Sequence, residues 1–341
     1  MSRTLYDCPR ISQRITTTLF ATQSLARAAF IACGTVSALV AIQLTGDAAW
    51  AGVPAAVLQL AGAFAAVAVG VITERIGRRS GLALGLGVGV LGMGVAAGAI
   101  IAGAWLLFLG GLVLMGAASA AALLGRFAVA EVHPPARRGR AISSVVIGGA
   151  IGAVVGPLIV GPSGRWAQRS GVNELAGPYL AAMVILAVAA LATFAWLRPD
   201  PRDVGRKMAE KHPEPTVHQG PARSIYQILR TPAGSVAVLA MVLSQMVMVM
   251  MMVVTVPYMI LHQHDLTDIS LVIAAHTFGM FAFSFLAGRL ADRWGRGWTI
   301  MAGAGLLVLA CALALLSPGV LPLAAALFLL GLGWNFCFVG G

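Results

Sequence analysis

The sequence predicts an all-α protein embedded in a membrane, and three observations indicate this class. Hydrophobic residues make up 59% of the 341 residues and charged residues only 10%, whereas an average soluble domain has about 25% charged residues. Apolar runs of about 20 residues, the length that crosses a bilayer as a helix, recur along the chain. Lysines and arginines gather in alternate segments between these runs. A soluble enzyme, a secreted disulfide scaffold and a nucleic-acid binder are therefore disfavoured, and no cofactor is expected.

The apolar runs define ten predicted spans in a polytopic membrane protein. Glycine, with 41 residues, is abundant in them, as expected where membrane helices approach one another closely. The tenth run reaches Gly341 with no basic flank or polar tail. We therefore expect about ten helices, with the C-terminal half truncated. The predicted spans are residues 18–44, 48–72, 81–102, 104–126, 141–162, 178–197, 234–260, 268–289, 299–317 and 320–340.

The basic residues predict how the spans are oriented. All but three of the 23 lysines and arginines lie before the first span or in segments on the same side of the membrane. Arg165 and Arg169 lie on the other side, and Arg27 lies inside the first span. The positive-inside rule places the N-terminus in the cytoplasm. Arg27 can either extend its side chain to the cytoplasmic face or bind an anionic substrate.

A charged, proline-bearing segment interrupts the spans between residues 198 and 231. Its composition predicts a cytoplasmic linker, with a short surface helix near residues 225–230. The predicted domains are therefore an N-terminal six-helix bundle (1–197), the central linker (198–231) and an incomplete C-terminal bundle of four helices (232–341).

A short motif occurs twice, after the second and after the eighth span. Its form is G-x-x-x-[DE]-R-x-G-R, and its glycines favour a tight turn. The acid is expected to face the positive N-terminal end of a helix, and the arginines are expected to satisfy helix C-termini. A turn that is basic only because of the positive-inside rule explains one copy of the motif. It does not readily explain two copies at matching positions. The first copy contains Gly70, Glu74, Arg75, Gly77 and Arg78, and the second contains Gly288, Asp292, Arg293, Gly295 and Arg296.

This pair of turns resembles the signature loop of the major facilitator superfamily. The resemblance implies two pseudo-symmetric six-helix bundles that rock around a central site, with two helices missing from the second half. It makes the charged residues of both turns gating residues. Glu74 departs from the Asp that is more usual in the family. The family's first-copy acid contacts the eleventh helix, which the ten predicted spans do not include.

The fifth span carries glycines at every fourth position, followed by a proline. This spacing produces a smooth groove for a neighbouring helix, and the proline bends the span. The pattern resembles the glycine–proline motif of drug–proton antiporters. Efflux and plain close packing therefore both remain as interpretations of Gly148, Gly152, Gly156 and Pro157.

Methionine and histidine are concentrated in spans seven and eight. Residues 241–280 hold eight of the 14 methionines. Met248 and Met252 share one face of span seven, and His276 and Met280 share one face of span eight. Thioether and imidazole groups suit Cu(I) better than magnesium or calcium. No Asp or Glu lies in the middle of a span, so a hard cation is disfavoured.

Structural explanations of these residues stay open. Methionine is a common packing residue, and His276 can serve a helix–helix hydrogen bond or a protonation step instead of metal binding. Met246 and Met250 also fit M-x-x-x-M, on a face about 160° from the first pair.

M-x-x-x-M followed by H-x-x-x-M on the next span is similar to the pattern of the bacterial CcoA-like copper importers. That resemblance implies copper uptake for haem–copper oxidase assembly, with Met248, Met252, His276 and Met280 as ligands. Relatives that carry organic solutes such as riboflavin share the scaffold.

The expected protein is a monomeric, multi-pass secondary transporter of the bacterial inner membrane. Its partners are the lipid bilayer and its substrate, copper; it is not an enzyme. One alternative is an organic-solute transporter, for drug efflux or riboflavin uptake. Another is a non-transporting copper sensor or assembly factor.

Overall fold

A computed structural model describes residues 9–211 and 231–341. These residues form helices and no strands, which confirms the all-α class. The chain divides into two compact units, Met1–Glu214 and Pro215–Gly341.

The first unit contains seven described α-helices. A short 3₁₀ helix, Ala48–Trp50, follows the first of them. The helices are α1 (Pro9–Thr45), α2 (Val53–Ile76), α3 (Arg78–Ala102), α4 (Trp105–Glu131), α5 (Pro135–Arg169), α6 (Ala176–Trp196) and α7 (Pro201–Lys211).

The second unit contains five described helices. They are α8 (Pro232–Leu261), α9 (Leu266–Ala282), α10 (Ser284–Trp294), α11 (Arg296–Ala314) and α12 (Val320–Gly340). Helices α9 and α10 together occupy the predicted eighth span, which the structure breaks at Phe283 with a bend of 45°.

Within the described ranges, nine helices are long and apolar enough to cross a membrane, and the number is ten if the bent pair of α9 and α10 is counted as one span. Large apolar side chains such as Phe64, Leu106 and Leu321 point outward. Outward apolar surface on this scale is what lipid contact requires.

Helix α1 begins well before the predicted residue 18. The hydroxyls of Thr16 and Thr18 donate to the carbonyls of Ser12 and Arg14 at 2.8 and 2.9 Å, so the polar side chains of this part find partners within the helix. Hydropathy marks the part of a helix that contacts hydrocarbon, and a helix can extend beyond that part.

Helix α1 is the inner helix of the first unit and packs against α2, α4, α5 and α6. An apolar cluster near one end of this unit joins its helices through residues such as Leu19, Leu82, Val129 and Leu197. Val204 of α7 is buried in the same cluster. The start of the predicted linker is therefore a helix, α7. Val204 gives this charged helix an apolar contact with the other helices of the first unit. The short helix predicted near residues 225–230 lies outside the described residues.

Helix α12 is the centre of the second unit and packs against α8, α9, α10 and α11. Glycines allow the backbones to approach closely. A Cβ atom at Gly303 would lie 2.8 Å from the Gly333 carbonyl oxygen, so a larger residue there would force α11 and α12 apart.

Candidate functional site

The two repeated turns have the same backbone geometry. Gly77 ends α2 and begins α3 at φ 95° and ψ 157°, and Gly295 joins α10 to α11 at φ 85° and ψ 155°. This positive φ strongly favours glycine. The second glycine of each motif copy therefore makes a one-residue junction between consecutive helices. The first glycines, Gly70 and Gly288, lie in open space, because a Cβ atom added at either would meet no heavy atom of the described residues within 4 Å.

The first turn is held by an acid that the motif does not include. The Asp200 carboxylate accepts hydrogen bonds from the backbone N–H groups of Arg78 and Arg79, each at 3.1 Å. It also accepts from the N–H of Arg202 at 2.9 Å, so it caps both α3 and α7. Glu74 is exposed instead. The residue that faces the N-terminal end of α3 is thus Asp200, because its position before α7 places its carboxylate at the junction.

Arginines tie the same turn to neighbouring segments. Arg78 donates to Glu131 at the end of α4, with Nη2 and Oε1 2.6 Å apart. Arg202 Nη1 donates to the carbonyl oxygens of Glu74 and Arg75 at 2.8 and 3.3 Å. The C-terminus of α2 is therefore satisfied by Arg202, while the Arg75 side chain is exposed.

Three residues of this network, Glu131, Asp200 and Arg202, were not singled out by the sequence motif. A local signal for one of them exists, since Asp200 followed by Pro201 is a typical helix start. Its bonds to α3 join residues more than a hundred positions apart, which local spacing does not indicate.

The second turn differs from the first in its surroundings. Asp292, Arg293 and Arg296 are all exposed, and no side chain of the described residues caps the start of α11. The repeat is therefore alike in backbone and unlike in its supporting contacts.

The glycines of the fifth span lie against α1. Cβ atoms at Gly148 and Gly156 would each lie 2.7 Å from a backbone oxygen, those of Phe20 and Ala28. At Gly152 a Cβ atom would overlap the Ser24 carbonyl. Pro157 lies inside α5 directly after this contact. The three glycines thus line the closest approach of α1 and α5.

The two M-x-x-x-M pairs of α8 have different environments. Met248 is 9% exposed and Met252 is partly buried. Met246 and Met250 are 53% and 65% exposed. The predicted pair therefore lies on the side of α8 that faces its own unit.

His276 lies in the interface between α9 and α12. Its side chain is 2% exposed, and its Nδ1 lies 3.0 Å from the Leu327 carbonyl oxygen. A carbonyl only accepts, so Nδ1 carries the proton and Nε2 has a lone pair. Gly279 and Gly331 bring the two helices together beside it.

Met280 lies at the break between α9 and α10 and is partly buried. Because the helix stops there, the Met280 carbonyl oxygen accepts from Asn335 Nδ2 at 2.6 Å, and the Ser284 hydroxyl also pairs with this amide at 2.8 Å. A side chain of α12 therefore stabilises the bend.

The four predicted ligands lie on two helices, Met248 and Met252 on α8 and the His276–Met280 pair on α9. In the described part of the second unit, α8 and α9 each pack on α12 and share no extended interface of their own. The described residues also contain no group of three or more His, Cys, Asp or Glu side chains that could hold a metal ion.

Arg27 lies near the middle of α1, on the stripe that the other helices of its unit leave open. Its side chain is exposed, and it makes no hydrogen bond or ion pair with the described residues.

Helices of this length, lipid-type outer surfaces and a duplicated one-residue turn define a polytopic membrane protein built from two related units. The family model of the Major Facilitator Superfamily matches residues 18–340. The chain belongs to this superfamily.

Curated relatives agree with this assignment. The chain is 37% identical over 310 residues to the uncharacterized MFS-type transporter YdeG of Bacillus subtilis (strain 168), which covers 90% of this chain and 72% of the relative. It is 29% identical over 303 residues to the riboflavin transporter RfnT of Brucella anthropi, covering 89% of this chain and 73% of the relative.

Solved structures share the fold. A bacterial homologue of the human lysosomal transporter Spinster aligns with a TM-score of 0.68 at 16% identity, over 98% of this chain and 74% of that one. A D-xylose–proton symporter aligns with a TM-score of 0.67 at 16% identity, over 97% and 80%. As a member of the superfamily whose model matches residues 18–340, the protein is a multi-pass membrane transporter of small solutes.

Proposed function

We propose that this protein is a secondary transporter that carries a small organic solute across the cytoplasmic membrane of a bacterium. The observation that carries this proposal is the similarity to the Brucella anthropi riboflavin transporter, which extends over 89% of the chain. Riboflavin is therefore the first solute to test. The distribution of lysine and arginine supports a cytoplasmic N-terminus.

The packing of the second unit supports an organic solute. His276 is engaged in the interface of α9 and α12 through Leu327, and a buried helix–helix hydrogen bond is a sufficient structural role for it. The flexible thioethers of α8 suit an apolar wall that adapts to a solute.

Copper, as Cu(I), is the second candidate substrate, and one observation favours it. Nδ1 of His276 donates to a backbone carbonyl, which is how metal-binding histidines are commonly oriented, and Nε2 is then the nitrogen that would hold the ion. In this hypothesis Met248, Met252, His276 and Met280 pass copper along as exchangeable ligands. Binding without transmembrane flux would instead favour the copper sensor or assembly factor.

In either case we propose that the two repeated turns control which side of the transporter opens. Their matched positive-φ junctions at Gly77 and Gly295 support a shared role.

The organic-solute proposal is tested by uptake of radiolabelled riboflavin into a riboflavin-auxotrophic bacterium that expresses the gene encoding this chain. We expect uptake above the level of cells with an empty vector, and growth at low external riboflavin. A panel of other organic solutes, offered in the same cells, extends the test beyond this vitamin.

The copper candidate is tested in parallel by uptake of copper-64. Copper uptake that His276→Ala and Met248→Ala abolish, in cells that accumulate no organic solute, would overturn the organic-solute proposal. Met250→Ala is the matched control, because Met250 lies on the same helix and is exposed.

A further inference from the structure

An aromatic pair on α12 lies beside the face of α8 that carries Met248 and Met252. Trp334 and Phe338 are one helical turn apart, and their rings stack with centroids 4.9 Å apart and an interplanar angle of 17°. Phe338 is 49% exposed and Trp334 is partly exposed, while Phe336 on the opposite face of α12 is buried. The stacked rings therefore occupy the open side of this helix.

A glutamine of α8 holds the indole in place. The Trp334 Nε1–H donates to Gln245 Oε1 at 2.8 Å. An indole nitrogen can only donate, so this bond fixes the orientation of the amide and leaves both N–H groups of Gln245 free to donate elsewhere. They make no hydrogen bond with residues 9–211 or 231–341. Their nitrogen is not fully buried. The amide nitrogen is therefore accessible.

The depth of Gln245 in the membrane limits what its amide can face. At 1.5 Å per residue, Gln245 lies about 20 Å from the start of α8 and about 24 Å from its end. An amide without a partner in hydrocarbon costs several kcal/mol. Its free N–H groups therefore face a polar path or a bound molecule instead of lipid tails. A tryptophan that anchors a protein at the membrane surface lies at the level of the lipid headgroups. Such a tryptophan would not form a hydrogen bond with a residue at the depth of Gln245.

The methionines complete the surroundings of the amide. Met241, Met248 and Met252 are spaced by four, three and seven residues from Gln245, which places all of them on one face of α8. Thioethers pack favourably against aromatic rings. The face of α8 that carries Met248 and Met252 therefore borders the amide donor of Gln245. The stacked rings of Trp334 and Phe338 lie beside the same amide.

We propose that Trp334, Phe338 and Gln245 form a binding subsite for the planar heteroaromatic ring of the transported solute. The ring stacks on the aromatic pair, and a carbonyl oxygen at its rim accepts from the Gln245 amide. This subsite rests on the proposed transport of an organic solute and narrows the class of that solute.

The test measures binding of two planar probes to the purified protein in nanodiscs by calorimetry. Lumichrome is a three-ring heteroaromatic with rim carbonyls, and phenazine is a three-ring heteroaromatic without them. In Trp334→Leu we expect the Kd of both probes to rise by about tenfold or more, because stacking on one aromatic side chain has an effect of this size. Trp334→Phe should retain most of the binding.

Gln245→Leu separates stacking from hydrogen bonding. We expect it to weaken lumichrome about tenfold more than phenazine, because phenazine loses only the support that the amide gives to the indole, whereas lumichrome also loses its own hydrogen bond. Trp298→Leu is the matched control, because Trp298 is 70% exposed and belongs to α11. Circular dichroism of each variant checks that its helices are retained.

Two outcomes would overturn the subsite. One is equal weakening of lumichrome by Trp334→Leu and Trp298→Leu, and the other is a wild-type protein that binds neither probe while it transports another organic solute. Binding that depends on Trp334, in a protein with no flux of any organic solute, would overturn the proposed function and leave the subsite standing.

Discussion

At the scale of single residues, both the backbone angle of Gly77 and the neighbouring Asp200 side chain require glycine at this position. Its φ of 95° strongly favours glycine, and a Cβ atom at this position would overlap the Asp200 carboxylate. The second glycine of the motif is therefore required for conformational and steric reasons together.

We expect Gly77→Ala to lower the free energy of unfolding by about 1–3 kcal/mol, from backbone strain and displacement of Asp200. Denaturant titration of the purified protein measures this. Gly70→Ala is the control from the same motif, since no heavy atom of the described residues lies within 4 Å of its Cβ position, and it should be neutral or stabilising. Equal losses in the two variants would contradict the role of the turn geometry.

Asp200 is the other residue on which the first turn depends. We expect Asp200→Ala to lower the free energy of unfolding by about 2 kcal/mol, because it caps α3 and α7 at once. Asp203→Ala serves as the comparison. Asp203 pairs with Arg202 at 3.7 Å and is 54% exposed, so its loss should cost at most about 1 kcal/mol. If both alanine variants unfold at the same denaturant concentration, the capping role of Asp200 is wrong.

At the scale of helices, the predicted spans coincide with helices because each apolar run is local in sequence and each must satisfy its backbone internally in a membrane. The bend in the eighth span was not predicted. No proline or glycine marks Phe283, and the contact that stabilises the bend comes from Asn335, 55 residues beyond Met280. Such a kink depends on a partner helix, which periodicity does not report.

The contact between α1 and α5 gives a prediction at the same scale. We expect Gly152→Ala to destabilise the protein by at least about 2 kcal/mol, because its Cβ atom overlaps the Ser24 carbonyl and the two backbones must separate. Thermal unfolding measured by tryptophan fluorescence reports the loss.

Gly149→Ala is the matched control on the same helix, since no heavy atom of the described residues lies within 4 Å of its Cβ position. A Gly152→Ala protein as stable as the Gly149→Ala protein would show that the helices separate at little cost.

At the scale of the whole molecule, the two units share a motif and differ in how it is supported. The first turn is bonded to Asp200, Arg202 and Glu131, and the charged residues of the second turn are exposed. Within residues 9–211 and 231–341, both turns therefore share the glycine junction, and the bonds to Asp200, Arg202 and Glu131 are made at the first turn.

We expect this difference to appear in amide hydrogen exchange. Peptides that cover Arg78 and Arg79 should exchange more slowly than peptides that cover Arg296 and Gly297, because the Asp200 carboxylate accepts the first pair of N–H groups. Mass spectrometry of the protein in nanodiscs measures both turns in one experiment. Asp200→Ala should bring the first turn to the rate of the second, and identical protection in the wild type would contradict this account.

The sequence by itself determined the class of this protein, its spans and its repeated turn. Hydropathy, basic flanks and glycine at a positive-φ position are properties of short segments, so they can be identified without knowledge of distant neighbours. It also indicated which methionines share a face, because helical spacing is regular. The tertiary structure decided which partner each side chain meets: Asp200 at the start of α3, the Leu327 carbonyl beside His276, and the Gln245 amide beside the indole N–H of Trp334. These pairs join residues 51 to 122 positions apart, and the energy that selects them comes from burial and hydrogen bonding between helices, which no local pattern records.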